Sequence, residues 1–169
     1  MIRMSHLFGL AAAAWVTVCP LSSAQGGFGS LPSGDDLALK MEGLNDRYAI
    51  FIEHGSVERT PPVVNFWTLQ VAPKSIVDYS NWRVMSINCD SWSWAGTRNF
   101  AVKTDGTLFG TSGEDVNTYT PITEDSMNES IAQVVCEGKD FELGQPQVSS
   151  FDQAVAQART VLKTRFGVE

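Results

Sequence analysis

The chain has 169 residues, of which 43% are hydrophobic, enough for one domain with a substantial core. Its 19 acidic residues outnumber its 12 lysines and arginines, and a net charge of -7 repels phosphate backbones, which argues against nucleic acid as a partner. The two signs are well mixed along the chain, which favours solubility over long-range steering.

Residues 1–24 read as a secretory signal peptide. Arg3 supplies a positive start, Leu7 to Val18 an apolar stretch, and Ser22-Ser23-Ala24 the small residues a signal peptidase requires. The apolar run is too short for a membrane span. Cys19 invites a lipoprotein reading, but Thr17-Val18 before it and Pro20 after it suit acylation poorly. Cleavage after Ala24 leaves 11 basic residues against 19 acids, a charge near -8. Such a chain is expected in the periplasm, at the cell surface or secreted, with no membrane span in its mature part.

Residues 25–46 read as a flexible leader and weakly structured entry. Gln25 to Gly34 is rich in Gly, Ser and Pro, and the apolar stretch from Leu37 to Leu44 has no clear period. Tyr48 to Glu53, Val63 to Val71 and Trp82 to Cys89 are strand patterns rich in aromatic and β-branched residues. His54-Gly55 reads as a turn after the first of these, and Pro61-Pro62 bounds the second. Arg98 to Thr104 and Thr107 to Thr111 flank Asp105-Gly106, the strongest hairpin signal in the chain. The period then changes. Ser126 and Glu129 have the spacing of a capping box, Ile131, Val134 and Val135 follow at helical spacing, and Gly138 closes the helix. Gly144 to Ser149 reads as a linker. A second helix opens at Ser150, carries a stripe of Phe151, Val155, Ala158 and Leu162, and ends at Gly167. Asp152 in its first turn and Lys163 and Arg165 in its last suit the helix dipole.

The mature chain keeps two cysteines, Cys89 in a strand pattern and Cys136 near the end of a helix pattern. In an exported protein the simplest reading of a lone pair is a disulfide, and the absence of Cys-x-x-Cys argues against a redox role. The elements predict an α+β fold: an antiparallel sheet of about five or six strands, a disulfide-tethered helix and an additional C-terminal helix. Residues 47–140 form the main unit and 141–169 the linker and amphipathic helix.

Several features of Tyr48 to Cys136 recur together in order. They are Glu53-His54-Gly55-Ser56-Val57-Glu58-Arg59, Trp67 within NFWTLQV, Cys89 in INCDSW, the Asp105-Gly106 hairpin, Tyr119-Thr120-Pro121-Ile122, and Cys136 in AQVVC after Ser126. In this order and spacing the segment, about half the chain, resembles the surface-adhesin protein E family of exported bacterial proteins. Tyr119 stands where a tryptophan is usual, and the helix from Ser150 to Phe166 is an extra element. The resemblance implies an antiparallel sheet with a helix held across one face by a disulfide. For the best-known members it also implies binding of extracellular-matrix and plasma proteins.

No pattern nominates a catalytic residue, a cofactor or a metal. His54 beside Ser56 lacks a nucleophile elbow and an oxyanion loop. Asp35-Asp36 and Glu114-Asp115 lack the spaced oxygens of a calcium loop. The candidate binding patch is aromatic. If Cys89, Ile87 and Met85 face the helix, strand alternation turns Trp82, Trp92 and Trp94 to the opposite face, as a platform for a protein or a glycan. The expected function is non-catalytic binding of an extracellular or envelope macromolecule. The rivals are a structural subunit of an envelope complex, docked through the last helix, and a small hydrolase using two carboxylates.

Overall fold

The computed structural model describes residue 28 and residues 30–113, 118–140 and 143–168. The expected signal peptide, Glu114 and Asp115 lie outside the described residues. Seven strands among the described residues form one antiparallel sheet: β1 (Leu39–Leu44), β2 (Ala49–Thr60), β3 (Val63–Val71), β4 (Tyr79–Asn88), β5 (Ser93–Lys103), β6 (Leu108–Gly113) and β7 (Thr120–Pro121). The first six follow one another as a meander, and β7 pairs with the start of β5. Among the described residues two helices complete the fold, α1 (Met127–Glu137) and α2 (Phe151–Phe166).

Local chemistry sets the turns. Asn88 Oδ1 accepts the backbone N–H groups of Asp90 and Ser91, which bends the chain between β4 and β5. Trp92 completes that bend with a left-handed φ of 48°. Between β5 and β6, Gly106 takes a φ of 82° and Asp105 Oδ1 accepts from Thr107 N, as the Asp-Gly signal predicts. Ser126 caps α1 by accepting from Glu129 N at 3.1 Å. Glu129 reaches back to Asp125 N, one residue before the position of an ordinary capping box. Gly138 N donates to Val134 O and Lys139 N to Gln133 O, a Schellman closure. Ser150 and Gly167 cap α2 in the same manner as the sequence predicts.

The sheet is covered on both faces. Alternation in β3 sends Trp67, Leu69 and Val71 to one side and Val64 and Phe66 to the other. The first side receives Ala154, Val155, Ala158 and Val161 of α2. The second receives Ile131, Ala132, Val134 and Val135 of α1. A disulfide joins Cys89, immediately after β4, to Cys136 in α1, with Cα atoms 5.7 Å apart. At the other end of the sheet Gly43 leaves room for Met127, since a Cβ there would lie 2.9 Å from Met127 Cγ.

Four details differ from the sequence reading: the sheet has seven strands among the described residues rather than about five or six, because the two-residue β7 adds to the start of β5, and three segments are placed differently. The unassigned stretch around Leu37 to Leu44 supplies β1, whose Leu39 and Met41 are buried against α2. It has no clear period because a bulge between Met41 and Gly43 interrupts the alternation. His54-Gly55 is not a turn; β2 runs through it, with a register shift between Glu53 and Glu58 that Glu53 fills by accepting from Ala38 N and Gly55 N. The Gly144–Ser149 linker is also an edge cover. Val148 pairs with Leu39 and shields the outer edge of β1.

Candidate functional site

α1 covers only part of its face of the sheet. Beside its first turn a cleft of about 330 Å³ remains, lined by Tyr48, Ile50, Thr68, Gln70, Arg83, Met85, Trp94, Ser126, Met127 and Asn128. This size lies at the lower end of the small-molecule range. The walls are mixed: Ile50, Met85, Trp94 and Met127 belong to the apolar cluster beneath α1, while Thr68, Gln70, Ser126 and Asn128 bring polar groups.

Strand register explains why these residues meet. Thr68 of β3 lies opposite Arg83 of β4, and Arg83 opposite Asn99 of β5. Paired positions share a face, so the three form a polar row across the sheet. Arg83 Nε donates to Asn99 Oδ1 at 2.6 Å, and Thr68 Oγ1 donates to the Arg83 carbonyl at 3.2 Å. Gly96 gives the Arg83 stem its place: a Cβ there would come within 3.3 Å of Arg83 Cδ. Burial pushes the Arg83 guanidinium below its ordinary pKa, with the nearby Tyr48 opposing that shift. Among the described residues, no carboxylate forms an ion pair with Arg83. Among the described residues, the one hydrogen bond of its guanidinium is that of Nε to Asn99, and Arg83 lines the cleft.

The three tryptophans do not share a surface. Trp82 is 2% exposed and packs edge-on against Trp67 on the α2 face. Trp92 and Trp94 are half-buried on the α1 face, in the cluster that also holds Met85, Ile87 and Cys89. The expected placement counts alternation straight through residues 82 to 94, but the chain turns after Asn88. Trp94 then lies opposite Ile87 and must face the same way. The Tyr119-Thr120-Pro121-Ile122 segment crosses beside them: Tyr119 hydroxyl bonds to Ser86 Oγ at 2.7 Å, and Ile122 N donates to Trp92 O. Trp94 alone of the three lines the cleft on the α1 face. Trp82 lines the floor of a separate cleft by the start of α2, with Val102 and Phe151.

Ser56 and His54 do not form a dyad. Ser56 Oγ donates to Glu53 O at 2.7 Å and accepts from Trp67 N at 2.9 Å. His54 Nε2 instead lies 3.3 Å from Oε1 of Glu42, which is fully buried. Lys40 bridges Glu42 at 3.3 Å and Asp140 at 2.6 Å. The hydrogen bond to Asp140 and the charge of Glu42 hold the Lys40 pKa above 10.5, and the same bond holds Asp140 below 3.8. This cluster fastens the segment after α1 to β1.

Among the described residues, no group of three or more His, Cys, Asp and Glu side chains gathers as a metal site, and no helix is long and apolar enough to cross a membrane. Sequence reasoning missed Arg83, Thr68 and Gln70. A signal was present: Arg83 falls in the same alternating row as Met85 and Ile87, a cation among core positions. Comparison of the chain with family models, with curated proteins and with solved structures finds no match.

Proposed function

We propose that the protein is an exported, non-catalytic binding protein, acting in the periplasm, at the cell surface or outside the cell, and that the cleft beside the first turn of α1 receives its ligand. The carrying observation is the half-buried Arg83 in a concave site with apolar walls and several hydrogen-bonding groups. The Cys89–Cys136 disulfide supports the compartment, because such bonds persist outside the reducing cytosol. It also supports a tethering role: α1 supplies one wall of the cleft and is fastened near its far end. The resemblance of Tyr48 to Cys136 to the surface-adhesin E family supports extracellular or envelope macromolecules as the partner class. The rival envelope-subunit reading is weakened by α2, whose apolar stripe is occupied by the sheet and so is unavailable for docking. A ligand-observed NMR screen of the mature protein against peptides, glycans and small organic acids tests the proposal. Amide shift changes clustered at Thr68, Gln70, Met85 and Asn128 support it. Hits that map only to other surfaces refute it.

A further inference from the structure

We propose that the cleft beside α1 is a carboxylate-binding site, in which Arg83 receives the carboxylate of a small organic acid or a peptide C-terminus and the attached side group lies against Ile50, Met85 and Trp94. The inference rests on the cleft being the ligand site.

A guanidinium carries five donors in a planar fork, and among the described residues only Nε has a protein partner, the neutral Asn99 amide. The paired Nη groups remain for an acceptor from outside. A partly buried cation without an anionic neighbour is costly, and a bound carboxylate relieves that cost with two parallel charge-assisted bonds. The mount is rigid. Asn99 fixes one edge of the fork, and the absent side chain of Gly96 lets the stem lie flat across β5. α1 also begins beside the cleft, its positive end offset by the Glu129 carboxylate in the first turn. Met127 and Asn128 stand in its first turn, where backbone N–H groups have no acceptor within the helix.

The anion class follows from charge and size. Among the described residues Arg83 is the one cationic side chain lining the cleft, which matches a carboxylate's single charge better than the near-double charge of a phosphate monoester. A protein of net charge -7 also repels polyanions. About 330 Å³ with apolar walls suits a group the size of one amino-acid residue.

Isothermal titration calorimetry and ¹⁵N NMR with N-acetyl-L-phenylalanine, its primary amide, phenyl phosphate and the tripeptide Ac-Ala-Ala-Phe-OH test the proposal. The free acid is expected to bind about tenfold or more tightly than the amide and to shift Thr68, Gln70 and Arg83 amides. Arg83→Gln is expected to erase that preference, and Arg83→Lys to keep part of it, with both variants showing wild-type near-UV circular dichroism. The tripeptide distinguishes sources: binding as tight as the single residue supports a peptide C-terminus, and exclusion supports a free acid. Equal binding of acid and amide, or a preference that survives Arg83→Gln, overturns the carboxylate assignment. Stronger binding of phenyl phosphate overturns it too, while leaving the cleft as the ligand site. Failure of every probe also overturns it; the cleft reading then stands or falls on the wider screen.

Discussion

Replacing both cysteines, as Cys89→Ala/Cys136→Ala, is the most direct test of how the fold is held together. The bridge closes a loop across 47 sequence positions. On chain-entropy grounds, removing a cross-link of that span returns about 4 kcal/mol of conformational freedom to the unfolded state. The native state loses less. Ile131, Ala132, Val134 and Val135 still bury α1 on β2, β3 and β4, and Arg59 still donates to the Val135 carbonyl near the helix end. The double variant is therefore expected to fold but to lose up to about 4 kcal/mol, a shift of roughly 2 M in urea midpoint for a slope of about 2 kcal/mol/M. Hydrogen exchange adds a local reading. Amides of Val134 and Val135 should lose protection more than those of Phe66 and Trp67 in β3, because α1 gains freedom to detach without the sheet. A loss below about 1 kcal/mol would refute the entropic reasoning, since it means the unfolded chain keeps these segments together unaided. Thiol alkylation of the unreduced folded protein is the companion control. Any rapid labelling of both residues means the bridge is not formed.

Trp82→Ala should cost about 3–5 kcal/mol in chemical denaturation, because the ring is fully enclosed between Trp67 and α2, whereas Trp94→Ala at the half-open cleft should cost visibly less. Truncation after Ser149 removes α2 and uncovers Trp67, Leu69 and Trp82; the expected product binds a hydrophobic dye and aggregates, and a well-folded monomer would contradict the two-faced core. Gly96→Ala should displace the Arg83 stem and weaken its bond to Asn99, seen as a shift of the Asn99 side-chain amide resonances with a stability loss of about 1 kcal/mol. For the Lys40–Asp140 pair the signs are opposite at the two ends of the pH scale. Asp140 is depressed below 3.8 when folded, so its contribution is present above that value and disappears as pH falls through the lower folded pKa. Lys40 is raised above 10.5, so its contribution is present below that value and disappears as pH rises through the higher folded pKa. Carboxyl NMR titration should place the Asp140 midpoint below 3.8 in the native protein and return it toward that value in Lys40→Met.

The sheet, the helices and the cysteine pair were legible because each leaves a local mark: β-branched runs between turn residues, Ser-x-x-Glu and Ser-x-x-Gln at helix starts, glycine at their ends. The site was not, because a site depends on facing, and facing is decided by register. Parity within one strand is readable: Trp82 and Val84 share one face and Met85 and Ile87 the other. Parity across a turn is not, because the bend at Asn88 to Trp92 restarts the count and only the pairing of Ile87 with Trp94 says which way the next strand looks. The bulge that inserts Thr97 between Gly96 and Arg98 shifts the register of β5 again, so Arg83 meets Asn99 and finds the empty space of Gly96 beside it. The same logic makes Arg83 more informative than the tryptophans. An aromatic ring on a two-sided sheet has a favourable place on either face, so its identity says little about which one it takes. A guanidinium in a row of methionine and isoleucine has no favourable place unless an anion or open water meets it, so its position in the strand already implies an opening in the cover above it. α1 begins beside that position and leaves it uncovered.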